Sequence, residues 1–196
     1  CVFFVAGVCV AGAGAGVFLD LKFHDIPNTV AAVVRAATRL GADIVNVHAL
    51  GGEKMMRAAS RAAHDEAKAL GHPPPKVIAV TILTSTDKDG LKKIGIRDTI
   101  EKQILTLARL ARASGLDGVV ASPREVKSLR EEFGNDILIV TPGVRPIWAA
   151  KADQKRVATP KEAIEGGADY IVAGRPIIEA DDPLKAAVKI LEEIGG

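Results

Sequence analysis

The sequence predicts an α/β fold of the parallel kind, a TIM (β/α)8 barrel lacking or altered in its first βα unit. Three observations carry this. Short aliphatic runs alternate with amphipathic stretches from Val17 onward. Glycines stand where each helix should stop, at Gly41, Gly71, Gly115, Gly134 and Gly167. A recurrent phrase, "LGADIVNV", "SGLDGVVA" and "GGADYIVA", leads each time from a helix end into the next strand. Strand, helix, glycine turn and strand in succession is the grammar of βαβ units.

Taken in order, the strands fall at 17–23, 44–48, 77–83, 118–121, 137–140 and 170–173. Between them, Asn28–Leu40 has helical spacing at Val30, Val33, Val34, Ala37 and Leu40, and Asp98–Ser114 has it at Ile100, Ile104, Leu107 and Leu110. Hydrophobic residues make up 48% of the chain and aromatics only 4%, so the core is aliphatic, as suits strands covered on both faces. The 196 residues suffice for one domain spanning the whole chain. Six strands follow Val17, and Val2–Val10 offers a seventh. A closed barrel typically takes about 250 residues, which leaves this chain about one βα unit short. An open doubly wound sheet is the alternative. It should carry a glycine-rich turn between its first strand and a helix, but "AGAGAG" at 11–16 leads into a strand.

The uncharged first 19 residues lack the basic start of a signal peptide and an initiator Met. Their length would permit a membrane span. However, Gly and Ala dominate from Ala11 to Gly16, and the segment runs straight into a charged strand, so a buried strand is the preferred reading. Cys1 and Cys9 supply neither a metal-ligand spacing nor a disulfide framework, and a reduced, cytoplasmic protein is expected. The net charge of +2 points to neither a nucleic-acid nor a membrane partner; an anionic small molecule would have to be held by local groups.

The chemistry concentrates in "FLDLKFHDIPNT", Phe18–Thr29. On an extended strand Asp20 and Lys22 share one face, while Leu19, Leu21 and Phe23 turn toward the helices. A carboxylate and an ammonium side by side inside a barrel are costly unless paired. Asp25 falls just past the strand end, where barrel active sites lie. Pro27 stops the strand, and Asn28 or Thr29 is expected to cap the next helix. A lone Asp-x-Lys reads as a structural ion pair. Three charges and His24 gathered at one strand end shift the reading to function.

Further polar clusters are "TPGVRP" at Thr141–Pro146, "DQKRVATP" at Asp153–Pro160 and "VAGRPI" at Val172–Ile177. Gly174 ends a strand and Pro176 suits the first turn of a short helix, so backbone N–H groups there, with Arg175, would hold a phosphate. Asn46 and His48 alternate onto one face of their strand, and a satisfied interior hydrogen bond is the default for His48. "LTS" at Leu83–Ser85 ends another strand, His64 and His72 should be exposed, and "KDGLKK" at Lys88–Lys93 reads as a solvated face. Trp148, in a loop, fits a lid or a buried anchor equally well.

With these residues assembled, the chain resembles the bacterial type of orotidine 5′-monophosphate decarboxylases. The phrases "LDLKFHDIPNT", "VNVHALGG", "ILTS", "TPGVRP", "DQKRVATP" and "VAGRPI" occur in family order. Asp-x-Lys-x-x-Asp alone is shared with related sugar-phosphate enzymes; "HDIPNT" together with the later motifs is more specific. The resemblance implies loss of CO₂ from orotidine 5′-monophosphate to give uridine 5′-monophosphate, without cofactor or metal, in a homodimer with shared active sites. It implies that Lys22 is the proton donor to pyrimidine C6 and that Asp20 orients it. Asp25 and Thr29 would come from a segment reaching the neighbouring subunit's site. Thr84 would contact the pyrimidine or its closing loop, and Arg145, Gln154, Gly174 and Arg175 would hold the 5′-phosphate. Two alternatives stand beside it: a metal-dependent sugar-phosphate decarboxylase of the same superfamily, and a non-catalytic nucleotide-binding fragment. The family's first-strand Asp and second-strand Lys have no counterpart before Asp20. The natural gene product is therefore expected to carry roughly 40 more residues at its front, and a polypeptide of these 196 alone is expected to be a poor enzyme.

Overall fold

A computed structural model describes residues 16–149 and 158–195. The strand expected at Val2–Val10 and both cysteines lie outside the described residues. Six strands, β1 (Phe18–Phe23), β2 (Ile44–His48), β3 (Lys76–Val80), β4 (Gly118–Val120), β5 (Leu138–Pro142) and β6 (Tyr170–Val172), form one parallel sheet in sequence order. Helices α1 (Pro27–Arg39), α2 (Gly52–Leu70), α4 (Ile100–Ala113), α5 (Val126–Phe133) and α6 (Pro160–Glu165) connect them, with a short α3 (Lys88–Lys93) before α4. After β6 come a single turn, α7 (Arg175–Ile178), and the closing α8 (Pro183–Gly195). Parallel strands joined in order by helices curl into part of a (β/α) barrel, as the repeat predicts.

Strand alternation sorts the core into two faces. Ile44, Ile78, Val80, Val120 and Val140 form a cluster on the concave face, joined by Phe18, Tyr170 and Val172, so all six strands contribute to it. The intervening residues Val45, Val47, Val77, Ala79, Val119 and Ile139 pack on the convex side with Val30 and Val34 of α1, Met55 and Met56 of α2, and Ile104 and Leu107 of α4. A third cluster sets Ile171 and Ala173 against Ile177 and Ile190, tying α7 and α8 to β6.

The recurrent phrase has a physical role. Its three aspartates each accept a backbone N–H at the start of the neighbouring strand: Asp43 from Val17 at 2.6 Å, Asp117 from Val77 at 2.8 Å, and Asp169 from Ile139 at 2.7 Å. Each carboxylate thus pins a strand pair at the bottom of the sheet, opposite the end where barrel chemistry occurs. The second residue of each phrase is a glycine at positive φ, +75° at Gly41, +81° at Gly115 and +108° at Gly167, as is Gly71 after α2 at +72°, a region that suits glycine after a helix.

Local details depart from expectation in four places. Leu21 does not face the helices: it is 60% exposed, because β1 is not regularly extended. Leu19 pairs with Val45 but Phe23 with Val47, so four steps of β1 match two of β2. Neither Asn28 nor Thr29 caps α1; the N-cap is Ile26, with Pro27 in the first turn, and the Asp25 carboxylate accepts the Ile26 N–H at 2.6 Å. The third strand ends at Val80, so Leu83–Ser85 lie in the loop beyond it, although Ile82 stays buried. "KDGLKK" is not wholly solvated, since Leu91 is 1% exposed and anchors α3 to the core.

Candidate active site

The chemistry-bearing residues collect at the C-terminal ends of the strands. At β1 the Lys22 Nζ lies 2.7 Å from Asp20 Oδ1. The pair is half-shielded, with 39% of the Lys22 side chain and 16% of the Asp20 side chain exposed. Lys22 has φ +50°, the only positive φ of a non-glycine residue among the described residues. A non-glycine residue in that region costs about 1–2 kcal/mol, and such strain persists where the surroundings over-determine it. Here Asn46 of β2, fully buried, supplies the constraint. Its Oδ1 accepts the Lys22 backbone N–H at 2.7 Å and its Nδ2 donates to Asp20 Oδ1 at 2.5 Å.

His24, just past β1, stacks obliquely on His48 at the end of β2, with ring centroids 5.3 Å apart. His48 is half-buried; burial first, then the charges of His24 and Lys22, hold its imidazole below the ordinary value of 6.5. The unfolded chain therefore takes up this proton at a higher pH than the native one. Stability attributable to His48 is complete above pH 6.5 and is lost as the pH falls from there toward the depressed native value. His48→Gln is expected to reduce the drop in melting temperature between about pH 7.5 and about pH 5.5. An unchanged drop in that variant would remove His48 from the account.

A small cavity of about 180 Å³ is lined by Lys22, Val80, Thr84, Ala121 and Pro142. Thr84, Ile82 and Pro142 also line a larger cavity, of about 420 Å³, whose far wall carries Arg145 and Arg175. The two cavities therefore run from the Lys22 ammonium to a pair of guanidinium groups along one strand-end surface. Burial, then the like charge of Arg175, depress the Arg145 guanidinium's affinity for its proton, while Glu179 acts the other way. Two cations facing a common space invite an anion. Gly174 is the N-cap of α7 and Pro176 lies in its first turn, as expected.

The remaining expected residues divide. Asp25 and Thr29 are exposed and line none of these cavities. Gln154 lies outside the described residues. Trp148 is 45% exposed, between the two alternatives, with the Lys189 ammonium 5.7 Å from its ring centroid. His64 and His72 are exposed, as expected. Sequence reasoning missed Ser122, Arg124 and Glu125, which line the larger cavity; the Ser122 hydroxyl donates to the Glu125 carboxylate. Their signal was "ASPRE" directly after an aliphatic strand, the position at which the other site loops begin. Alternation along β2 sets the face of Asn46, which could line a polar pocket, but not its partners, which lie on another strand. Among the described residues no three His, Cys, Asp or Glu gather as a metal site, and no helix is long and apolar enough to cross a membrane.

Comparison with known proteins adds the following. A family model described as orotidine 5′-phosphate decarboxylase / HUMPS family matches residues 10–190. The chain is 55% identical to an orotidine 5′-phosphate decarboxylase of Moorella thermoacetica, over 92% of this chain and 72% of that protein. It is 56% identical to one of Rhodospirillum rubrum, over 98% of this chain and 77% of that one. The fold is similar to the crystal structure of orotidine 5′-phosphate decarboxylase from Lactobacillus acidophilus, with a TM-score of 0.82 and 45% identity, covering 93% of this chain and 77% of that one.

Proposed function

This chain belongs to the orotidine 5′-phosphate decarboxylase / HUMPS family and is a carboxy-lyase of pyrimidine biosynthesis, converting orotidine 5′-monophosphate to uridine 5′-monophosphate, and we propose the following roles for its residues. Lys22 stabilises the developing carbanion and protonates it. Breaking the bond between C6 and the carboxyl group releases CO₂ and leaves the electron pair on C6, with no electron sink in the ring. A fixed ammonium beside that carbon stabilises the charge as it forms. The same ammonium then gives its proton to C6, and the resulting amine is reprotonated from water. Asp20 holds the ammonium in place through the 2.7 Å ion pair. Thr84, at the junction of the two cavities, contacts the pyrimidine or the loop over it.

Arg145, Arg175 and Gly174, with Gln154, hold the 5′-phosphate. Binding energy won there, away from the reacting carbon, is available to order the site for the chemical step. The observation that carries this reading is the strained Lys22, paired with Asp20 at one end of a strand-end surface whose other end holds two facing arginines.

The active sites are shared between two copies of the chain. Asp25, on the exposed turn after β1, and Thr29, in the exposed first turn of α1, reach the partner's site. Exposed Leu21, Ile26 and Leu50 at the same strand ends supply apolar surface for the contact. The enzyme works in the cytoplasm, on a nucleotide, with neither nucleic acid nor membrane as partner, and without cofactor or metal.

The test is decarboxylation of orotidine 5′-monophosphate, followed by the loss of its ultraviolet absorbance, with and without a chelator. Turnover unaffected by the chelator is expected. Turnover abolished by it, or turnover only of a sugar phosphate, would favour the metal-dependent relatives instead.

A further inference from the structure

We infer that Asn46 is a positioning residue for the reaction, acting through both Asp20 and the backbone of Lys22. This rests on the decarboxylase reading of the same site. Asn46 is completely buried on β2, on the strand face that also carries Ile44. Its amide orientation is dictated by its partners. A backbone N–H can only donate and a carboxylate can only accept, so the oxygen must face Lys22 and the nitrogen must face Asp20. The two bonds, 2.7 Å and 2.5 Å, are made at the two elements that define the ammonium's position. One fixes the backbone at the single non-glycine residue with positive φ; the other fixes the carboxylate that pairs with the ammonium.

The strand register explains why such a clamp is needed. Between Leu19 and Phe23 β1 leaves its ladder with β2, so the Lys22 N–H has no regular strand partner there. The Asn46 side chain takes the place of that missing ladder bond. Without it, a part-buried N–H and a carboxylate lone pair would both lose a partner, and the bulge would be free to relax toward extended backbone. Relaxation would swing the Lys22 side chain away from the small cavity it now lines.

Two substitutions separate positioning from bulk. Asn46→Leu keeps the volume and removes both bonds. Asn46→Asp keeps the acceptor, but when ionised it sets a second carboxylate against Asp20, which disfavours its own ionisation. Once protonated it again offers one donor and one acceptor, as the amide does. The charged and titratable groups around it are Asp20 and Lys22 on β1, His24 just beyond, and His48 on its own strand. The parent shares all four, so its pH profile is the control.

The expected result for Asn46→Leu is a kcat lower by about ten- to a hundredfold, the scale of an ångström-size misplacement, with affinity for uridine 5′-monophosphate nearly unchanged. Asn46→Asp should gain activity relative to the parent as the pH falls. The Lys22 amide should exchange slowly with solvent in the parent and faster in Asn46→Leu, whether or not turnover is measured. Parent-like kcat in Asn46→Leu, or an Asn46→Asp profile parallel to the parent's, would overturn the inference. A parent that decarboxylates nothing counts against the decarboxylase reading alone, and the Lys22 amide exchange then decides the positioning role. If Asn46→Leu does not fold, the Asn46→Asp profile decides.

Discussion

Lys22→Ala is expected to lower kcat by several orders of magnitude while leaving the binding of uridine 5′-monophosphate largely intact. Two effects are lost together. Removing a preorganised electrostatic partner of a developing charge typically costs about 10²–10³-fold, and removing a positioned general acid typically costs about 10²–10⁴-fold. These effects overlap because one ammonium supplies both. Binding should survive because the arginines proposed to hold the phosphate, Arg145 and Arg175, line the neighbouring larger cavity, which Lys22 does not line. The variant keeps the strain at φ +50°, because alanine retains the Cβ that causes it. A variant that keeps a tenth of the parent's rate would exclude Lys22 as the acid. The same protein serves the shared-site proposal: mixed with Asp25→Ala, it should regain some activity, because one site of the mixed dimer holds both native groups. No recovery after confirmed subunit exchange would count against sharing.

Arg175→Ala is expected to weaken the binding of uridine 5′-monophosphate and to leave that of uridine almost unchanged. A hydrogen bond to a charged group contributes roughly 1.5–3 kcal/mol, which at about 1.4 kcal/mol per decade corresponds to about ten- to over a hundredfold in affinity. Arg145 lines the same cavity and remains to meet the anion, which limits the loss to one partner. Titration calorimetry with the nucleotide and the nucleoside reads the difference directly. Equal weakening of both ligands would contradict a phosphate role.

The parallel fold was legible because its signals are local. An aliphatic run such as Ile44–His48 and a helix of the Asn28–Leu40 kind each declare themselves within a dozen residues, and the structure places them at Ile44–His48 and Pro27–Arg39. The structure departs from the sequence pattern where burial and hydrogen bonding part company. Ile82 is buried two residues after the third strand's ladder ends, so its hydrophobicity overstated the strand. Leu21 is apolar and exposed because β1 bulges, which alternation along the strand cannot reveal.

The sequence by itself determined which groups stand at the strand ends: Asp20 and Lys22 at the first, Thr84 beyond the third, and Arg145 and Arg175 beyond the last two. Each lies toward the end of an aliphatic run or in the loop that follows it, and a parallel sheet puts all such positions on one side. Only the tertiary structure decided how those groups are held. Lys22 adopts its unusual backbone because a side chain on another strand, 24 residues away, takes its N–H. Arg145 and Arg175 become one cationic surface because adjacent strand ends bring them to the same cavity. Both depend on register and curvature, which are set by packing between distant segments and not by the residues that carry the chemistry.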